Sequence, residues 1–336
     1  MKKPYLRTLL VVTGLLGFAV PSARALAAPA AATYSNAGSI VYQSGANIWL
    51  AAPNGSGKRQ ITRDGTKASP YQYPTRALNG TIETIRNLTT LYHLNPYGKV
   101  IGRLLKVATG PSNNIPLHTM AMDAAISPNG QRVAVTTVEY EGIFDPSTGA
   151  HGANIISEDI YYYATSTGKT ILRAHEAGSD LMSPAWVNNN QVLFFAPYNI
   201  AADQVYLGQF HPLGWPWFAD GDFFSRQPLN HGDLTTQKDK LAVVRGNDLV
   251  NDWRSTTIQI YRTNGNLHAA PTAVCAIKAQ HGAIGKVTWS PDGSTLAWSD
   301  SNGIWESPVN LSAANCGLAP KLVIKGGTNP DWSPVR

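Results

Sequence analysis

Short apolar runs alternate with clusters of turn residues along nearly the whole chain, and no 3.6-residue apolar period persists anywhere in it. The clearest unit is Trp289-Ser290-Pro291-Asp292-Gly293-Ser294-Thr295-Leu296-Ala297-Trp298-Ser299. Its flanks, Val287-Thr288-Trp289 and Leu296-Ala297-Trp298, are apolar and β-prone. Between them Pro291 presets φ for a turn, Asp292 can bond its own backbone, and Gly293 tolerates positive φ. The pattern predicts a strand, a tight turn and a second strand.

The unit recurs. Ile126-Ser127-Pro128-Asn129-Gly130-Gln131-Arg132-Val133 repeats it turn for turn, and Ala185-Trp186-Val187-Asn188-Asn189-Asn190-Gln191-Val192 repeats it with Asn in place of Pro and Gly. Weaker copies are Ala77-Leu78-Asn79-Gly80-Thr81-Ile82 and Leu234 to Val243, and Pro330-Asp331-Trp332-Ser333-Pro334 is the last. The turns fall near positions 80, 130, 190, 238, 293 and 336, a period of about fifty, which means a solenoid, a propeller or an array. Between hairpins comes an aromatic-rich third strand, such as Asp159-Ile160-Tyr161-Tyr162-Tyr163 or Gly303-Ile304-Trp305-Glu306, then a turn and a short fourth strand such as Lys321-Leu322-Val323-Ile324. Four strands per period describe a propeller blade.

The last copy stops at Arg336, and Gly38-Ser39-Ile40-Val41-Tyr42 continues the pattern at the other end of the chain. The expectation is an all-β, six-bladed β-propeller with four antiparallel strands per blade. The C-terminal strand, Asn329–Pro334, joins the N-terminal blade around Ile40–Gln43 and removes open sheet edges. The Trp289–Gly293, Ser127–Gly130, Ser183–Trp186 and Asn329–Pro334 segments resemble the TolB-like six-bladed propellers, with their WD40-like repeats. The turn residues of the two weaker copies, Ala77–Ile82 and Leu234–Val243, depart from that pattern. The resemblance implies the fold and little about function, since such propellers serve as envelope partners, sensors and enzyme appendages.

Residues 1–28 read as a signal peptide: Lys2, Lys3 and Arg7, an apolar core from Leu9 to Val20, and small residues around Ala25-Leu26-Ala27. The core is too short for a membrane span, and no second hydrophobic segment follows. Residues 29–37 read as a flexible leader and 38–336 as one propeller domain, expected to be a monomer exported to an extracellular, periplasmic or cell-envelope location. Loss of Lys2, Lys3, Arg7 and Arg24 with the peptide lowers the formal charge from +6 to about +2. The remaining basic residues are scattered, which argues against a nucleic-acid partner. Two cysteines, Cys275 and Cys316, fall in neighbouring copies; an even count in an oxidising compartment suggests a disulfide, against two separate buried thiols.

Candidate chemistry is sparse. His-Glu-x-x-His, Cys-x-x-Cys and Gly-x-Ser-x-Gly are all missing. Asp220-Gly221-Asp222 alone offers too few ligands for calcium, so no cofactor, metal or catalytic residue is assigned. Asp292 reads as turn chemistry. Two features point to binding. Aligning the six copies puts Tyr73, Asp123, Ser183, His231, Lys286 and Asn329 at one position, facing a central tunnel or its mouth. All six are polar, as a ligand site or a water-filled tunnel requires. The insertion from Gly208 to Pro228 carries Trp215, Trp217, Phe218, Phe223 and Phe224, which either anchor a partner or fold over a blade edge. A second insertion runs from Glu139 to Glu158. The favoured function is a non-catalytic binding or scaffold module for a protein or cell-envelope component. The alternatives are a hydrolase or lyase acting on a glycan or peptide at the tunnel mouth, or a carbohydrate-binding propeller.

Overall fold

A computed structural model describes residues 38–102, 105–106, 117–145, 150–174, 182–196, 199–206, 209–210, 216–219, 229–248, 252–278, 281–313, 316 and 319–334. Residues 1–37, expected as a signal peptide and leader, lie outside the described residues. All regular structure among these residues is β, in a propeller-like arrangement, and none of them forms a helix long and apolar enough to cross a membrane.

The strands assemble into six sheets. Sheet I holds β1 (Ser39–Ser44), β2 (Asn47–Ala51) and β3 (Arg59–Gln60). Sheet II holds β4 (Tyr71–Arg76), β5 (Ile82–Arg86), β6 (Thr90–Leu94) and β7 (Leu105–Lys106). Sheet III holds β8 (Leu117–Ile126), β9 (Arg132–Asp145), β10 (Ala150–Ala164) and β11 (Thr170–Ala174). Sheet IV holds β12 (Met182–Asn188), β13 (Gln191–Ala196), β14 (Asn199–Tyr206), β15 (Gln209–Phe210) and β16 (Pro216–Ala219). Sheet V holds β17 (Leu229–Leu234), β18 (Lys240–Asp248), β19 (Asp252–Arg262) and β20 (Thr272–Lys278). Sheet VI holds β21 (Val287–Trp289), β22 (Thr295–Asp300), β23 (Gly303–Pro308) and β24 (Lys321–Lys325), and the last strand, β25 (Gly327–Ser333), returns to sheet I beside β1. There Ile40 faces Trp332 and Val41 faces Asp331. Neighbouring strands within each sheet are antiparallel.

The inner strands touch in order: β25 with β4, β4 with β8, β8 with β12, β12 with β17, β17 with β21, and β21 with β25. The core is divided accordingly. One apolar cluster lies between each successive pair of sheets, because alternate residues of a strand point to opposite faces. Ile40 and Tyr42 pack toward sheet VI, with Ile304, Ile324 and Trp332. Val41 packs toward sheet II, with Tyr71, Ile82 and Leu94. Trp289 and Trp298 fill the cluster between sheets V and VI. That cluster also holds the Cys275–Cys316 disulfide, whose Cα atoms are 5.5 Å apart. The bond joins β20 to the loop before β24 and so ties the outer parts of two sheets.

The repeated turns form as their residue types dictate. Asp292 Oδ1 accepts hydrogen bonds from Ser290 Oγ, Ser294 N and Ser294 Oγ, and Gly293 sits at φ 68°. These bonds hold the Asp292 carboxyl below its usual range, so its role is structural. The segment expected as an insertion from Glu139 to Glu158 continues the hairpin instead: β9 and β10 stay paired out to Asp145 and Ala150. Part of the other insertion adds β16 beside β14.

Candidate functional site: the central cavity

In five of the six inner strands the pairing slips by a residue or more at the same place, a β-bulge. The slips lie between Gln72 and Thr75, Ala121 and Asp123, Met182 and Ala185, and Leu229 and His231, and opposite Val41 and Gln43 in β25. A bulge breaks the alternation and re-aims a side chain. The six residues aligned from the repeat stand at these slips or, for Lys286, just before β21. All six (Tyr73, Asp123, Ser183, His231, Lys286 and Asn329) line one cavity of about 210 Å³.

The six divide into two sets. The first is a buried charged group. Asp123 is 5 % exposed and Lys286 8 %. Lys286 Nζ lies 3.5 Å from Asp123 Oδ1 and 3.4 Å from the Ala124 carbonyl oxygen. His231 Nε2 lies 3.2 Å from Asp123 Oδ2, and Ala124 N donates to Asp123 Oδ1 at 2.8 Å. Burial works to raise the Asp123 pKa, but Lys286, His231 and the Ala124 N–H outweigh it, and the carboxyl ends below its ordinary range. Burial likewise opposes the Lys286 charge, and Asp123 with Asp331 overcomes it, so the ammonium is held above its usual value.

The second set is neutral and strained. Tyr73, Ser183 and Asn329 have φ of 51°, 52° and 50°, left-handed values uncommon for residues with a side chain. Each stands directly before a proline. Such conformations cost about 1–3 kcal/mol each and cluster where function holds them. Burial, then the nearby Asp123 charge, pushes the Tyr73 hydroxyl up to about 12, so it keeps its proton and can donate. Asn329 Nδ2 donates to Gln43 Oε1 at 3.2 Å.

A second ring lies two residues further along each inner strand, and the sequence reading missed it. Thr75, Ala125, Ala185, Asp233, Thr288 and Asp331 line a second cavity of about 150 Å³, which shares His231 and Lys286 with the first. These side chains reach across to the next sheet. Asp331 Oδ2 accepts from Arg76 N at 2.7 Å, and Thr75 Oγ1 from Ile126 N at 3.2 Å. Asp233 Oδ2 accepts from Trp289 N at 2.8 Å, and Thr288 Oγ1 from Trp332 N at 3.1 Å. Each bond runs from one copy of the repeat to the N–H one residue further on in the next copy. Burial raises Asp233 to about 6 despite the Trp289 N–H. Ala125 and Ala185 carry no acceptor in their side chains; at the first of these junctions Trp186 Nε1 donates to the Ala125 carbonyl at 2.8 Å.

The aromatic insertion has a packing role where it is described. Trp217 is 5 % exposed. It packs with Phe218, Phe195, Leu229 and Tyr261 between sheets IV and V, and its Nε1 donates to the Ala269 carbonyl at 2.7 Å. Trp217 and Phe218 are both buried, as the reading of this insertion as a cover requires of them: a large ring beside an apolar gap buries more area inside than on the surface. Trp215, Phe223 and Phe224 lie outside the described residues, as does Asp220-Gly221-Asp222. No group of three or more His, Cys, Asp or Glu that could hold a metal ion occurs among the described residues.

No protein-family model matches the chain, and no curated protein is similar to it at a significant level.

Proposed function

We propose that the protein is an exported, TolB-like propeller of six blades closed by β25, and that it works as a non-catalytic binding module for a protein or cell-envelope component. The six sheets serve as the blades, and the cyclic order of inner-strand contacts supports a closed ring. The disulfide accords with an oxidising compartment. One observation carries the binding site. Six polar side chains from six different sheets line one cavity, and three of them stand in left-handed conformations at β-bulges. Loops and strand ends brought together by a rigid scaffold are where binding residues concentrate.

The test is capture. The chain from residue 29 onward is immobilised and offered the solubilised envelope fraction of the source cells. Two variants run in parallel: Ser183→Gly with Asn329→Gly, which alters the cavity, and Tyr97→Asp, at a residue 79 % exposed between β6 and β7 and outside both cavities. A partner retained by wild type and by Tyr97→Asp, and lost from the double variant, supports the reading. Equal retention by all three contradicts it.

A further inference from the structure

We propose that the first-ring cavity binds a small neutral saccharide; this rests on the reading of the cavity as the binding site and names its ligand class. Charge decides first. The carboxylate and the ammonium in this cavity face each other, and both are buried. An incoming anion meets Asp123 and an incoming cation meets Lys286, and neither gains a free counter-charge for the hydration it gives up. A neutral ligand carries no such penalty.

Beside the Asp123, Lys286 and His231 group, the neutral members of the ring are of one kind. Tyr73 and Ser183 present hydroxyls and Asn329 a carboxamide, groups that donate and accept as sugar hydroxyls do. The Tyr73 hydroxyl stays protonated, and the Asn329 amide nitrogen is turned to Gln43, which leaves its oxygen as the acceptor. Between these polar groups Met122, Val244 and Ile284 add apolar lining, from β8, β18 and the segment before β21. A pyranose carries the same two kinds of surface, hydroxyls and C–H groups. Size agrees. About 210 Å³ falls below the roughly 300–1,000 Å³ that drug-sized ligands occupy, so the guest is one sugar unit or the end of a chain. The left-handed backbone at Tyr73, Ser183 and Asn329 then has a purpose, since it fixes three neutral groups around one space before the ligand arrives.

The experiment is titration calorimetry on the chain from residue 29 onward. The probes are glucose, galactose, N-acetylglucosamine and maltose, with glucuronate and glucosamine as charged counterparts. Saturable binding of at least one neutral sugar is expected, at least tenfold tighter than either charged analogue. Ser183→Gly and Asn329→Gly each remove a polar group yet keep the backbone conformation, because glycine adopts positive φ freely. Each should weaken binding roughly three- to tenfold, the worth of one neutral hydrogen bond, without lowering the melting midpoint. No neutral sugar bound up to 50 mM, tighter binding of a charged analogue, or unchanged affinity in both variants overturns the proposal. If the capture experiment still depends on the cavity while no sugar binds, the saccharide is wrong and the binding-module reading stands. If a sugar binds and capture ignores the cavity, the failure lies with the partner reading.

Discussion

Two rings of side chains, two residues apart on the same strands, face the same central space and do opposite things. The first ring, Tyr73 to Asn329, includes strained backbone and a buried ion pair, and both weaken a fold unless something compensates. The second ring, Thr75 to Asp331, satisfies buried backbone N–H groups of the next sheet at four of the six junctions. The lesson is that polar residues lining a channel are not one class. Those that bond across a junction support the fold, and those that leave groups turned to the cavity are free to serve a ligand. The two alanines refine this. Where Ala125 and Ala185 remove the acceptor, the junctions depend on Trp186 and on the apolar wedge around Trp217 and Phe218.

The largest expected effect tests the ion pair. Lys286→Ala leaves the Asp123 carboxylate buried without its counter-charge and should cost about 3–5 kcal/mol in urea unfolding. The double change Asp123→Asn with Lys286→Met should cost clearly less. Equal losses would mean that the pair is not coupled.

Next comes the wedge. Trp217→Ala should destabilise by about 3–5 kcal/mol, as deletion of a buried tryptophan does, whereas Trp217→Phe should retain most of the packing. A Trp217→Ala protein that melts like wild type would return this residue to the surface and reopen its role as a binding anchor.

The third prediction concerns pH. Burial raises Asp233 to about 6, and Glu83, buried against His93, to about 7. Both lie above the ordinary carboxyl value of about 4, so the folded state binds these protons more readily than the unfolded chain. Stability therefore rises as pH falls from about 7 toward about 4. Asp123 has the opposite sign: its pKa is lowered, and its contribution is lost below about 4. The melting midpoint at pH 5 should exceed that at pH 8, and Asp233→Asn together with Glu83→Gln should flatten the rise. A midpoint that falls from pH 8 to pH 5 would contradict the assignment of these carboxyls.

Much of this was legible in the sequence, for reasons that differ by residue. The hairpins could be read because Pro291, Asp292 and Gly293 act locally, and each has its own physical reason to sit in a turn. The first ring followed from counting along the repeat, since the turns set the register of the inner strands. The second ring could not be read that way. Its function needs only a hydrogen-bond acceptor, which Thr and Asp both supply and which two copies do without, so its residue types carry no common signature. The burial of Trp217 was hidden because an aromatic-rich insertion looks the same whether its rings face solvent or a gap between sheets. The Glu83–His93 contact was hidden because it arises from cross-strand register between β5 and β6, which an isolated acid and histidine do not announce.

The most direct test uses one strand and two residues. Asn329 and Asp331 are neighbours on β25, one in each ring. Asn329→Gly relieves a left-handed residue, and unfolding by urea should show stability unchanged or raised by up to about 1 kcal/mol. Asp331→Ala strips the acceptor from the Arg76 N–H and should cost about 1–3 kcal/mol. Stability kept or gained on changing Asn329, and lost on changing Asp331, is the predicted result. Equal destabilisation by both would contradict the division between a ring that supports the fold and a ring held ready for a ligand.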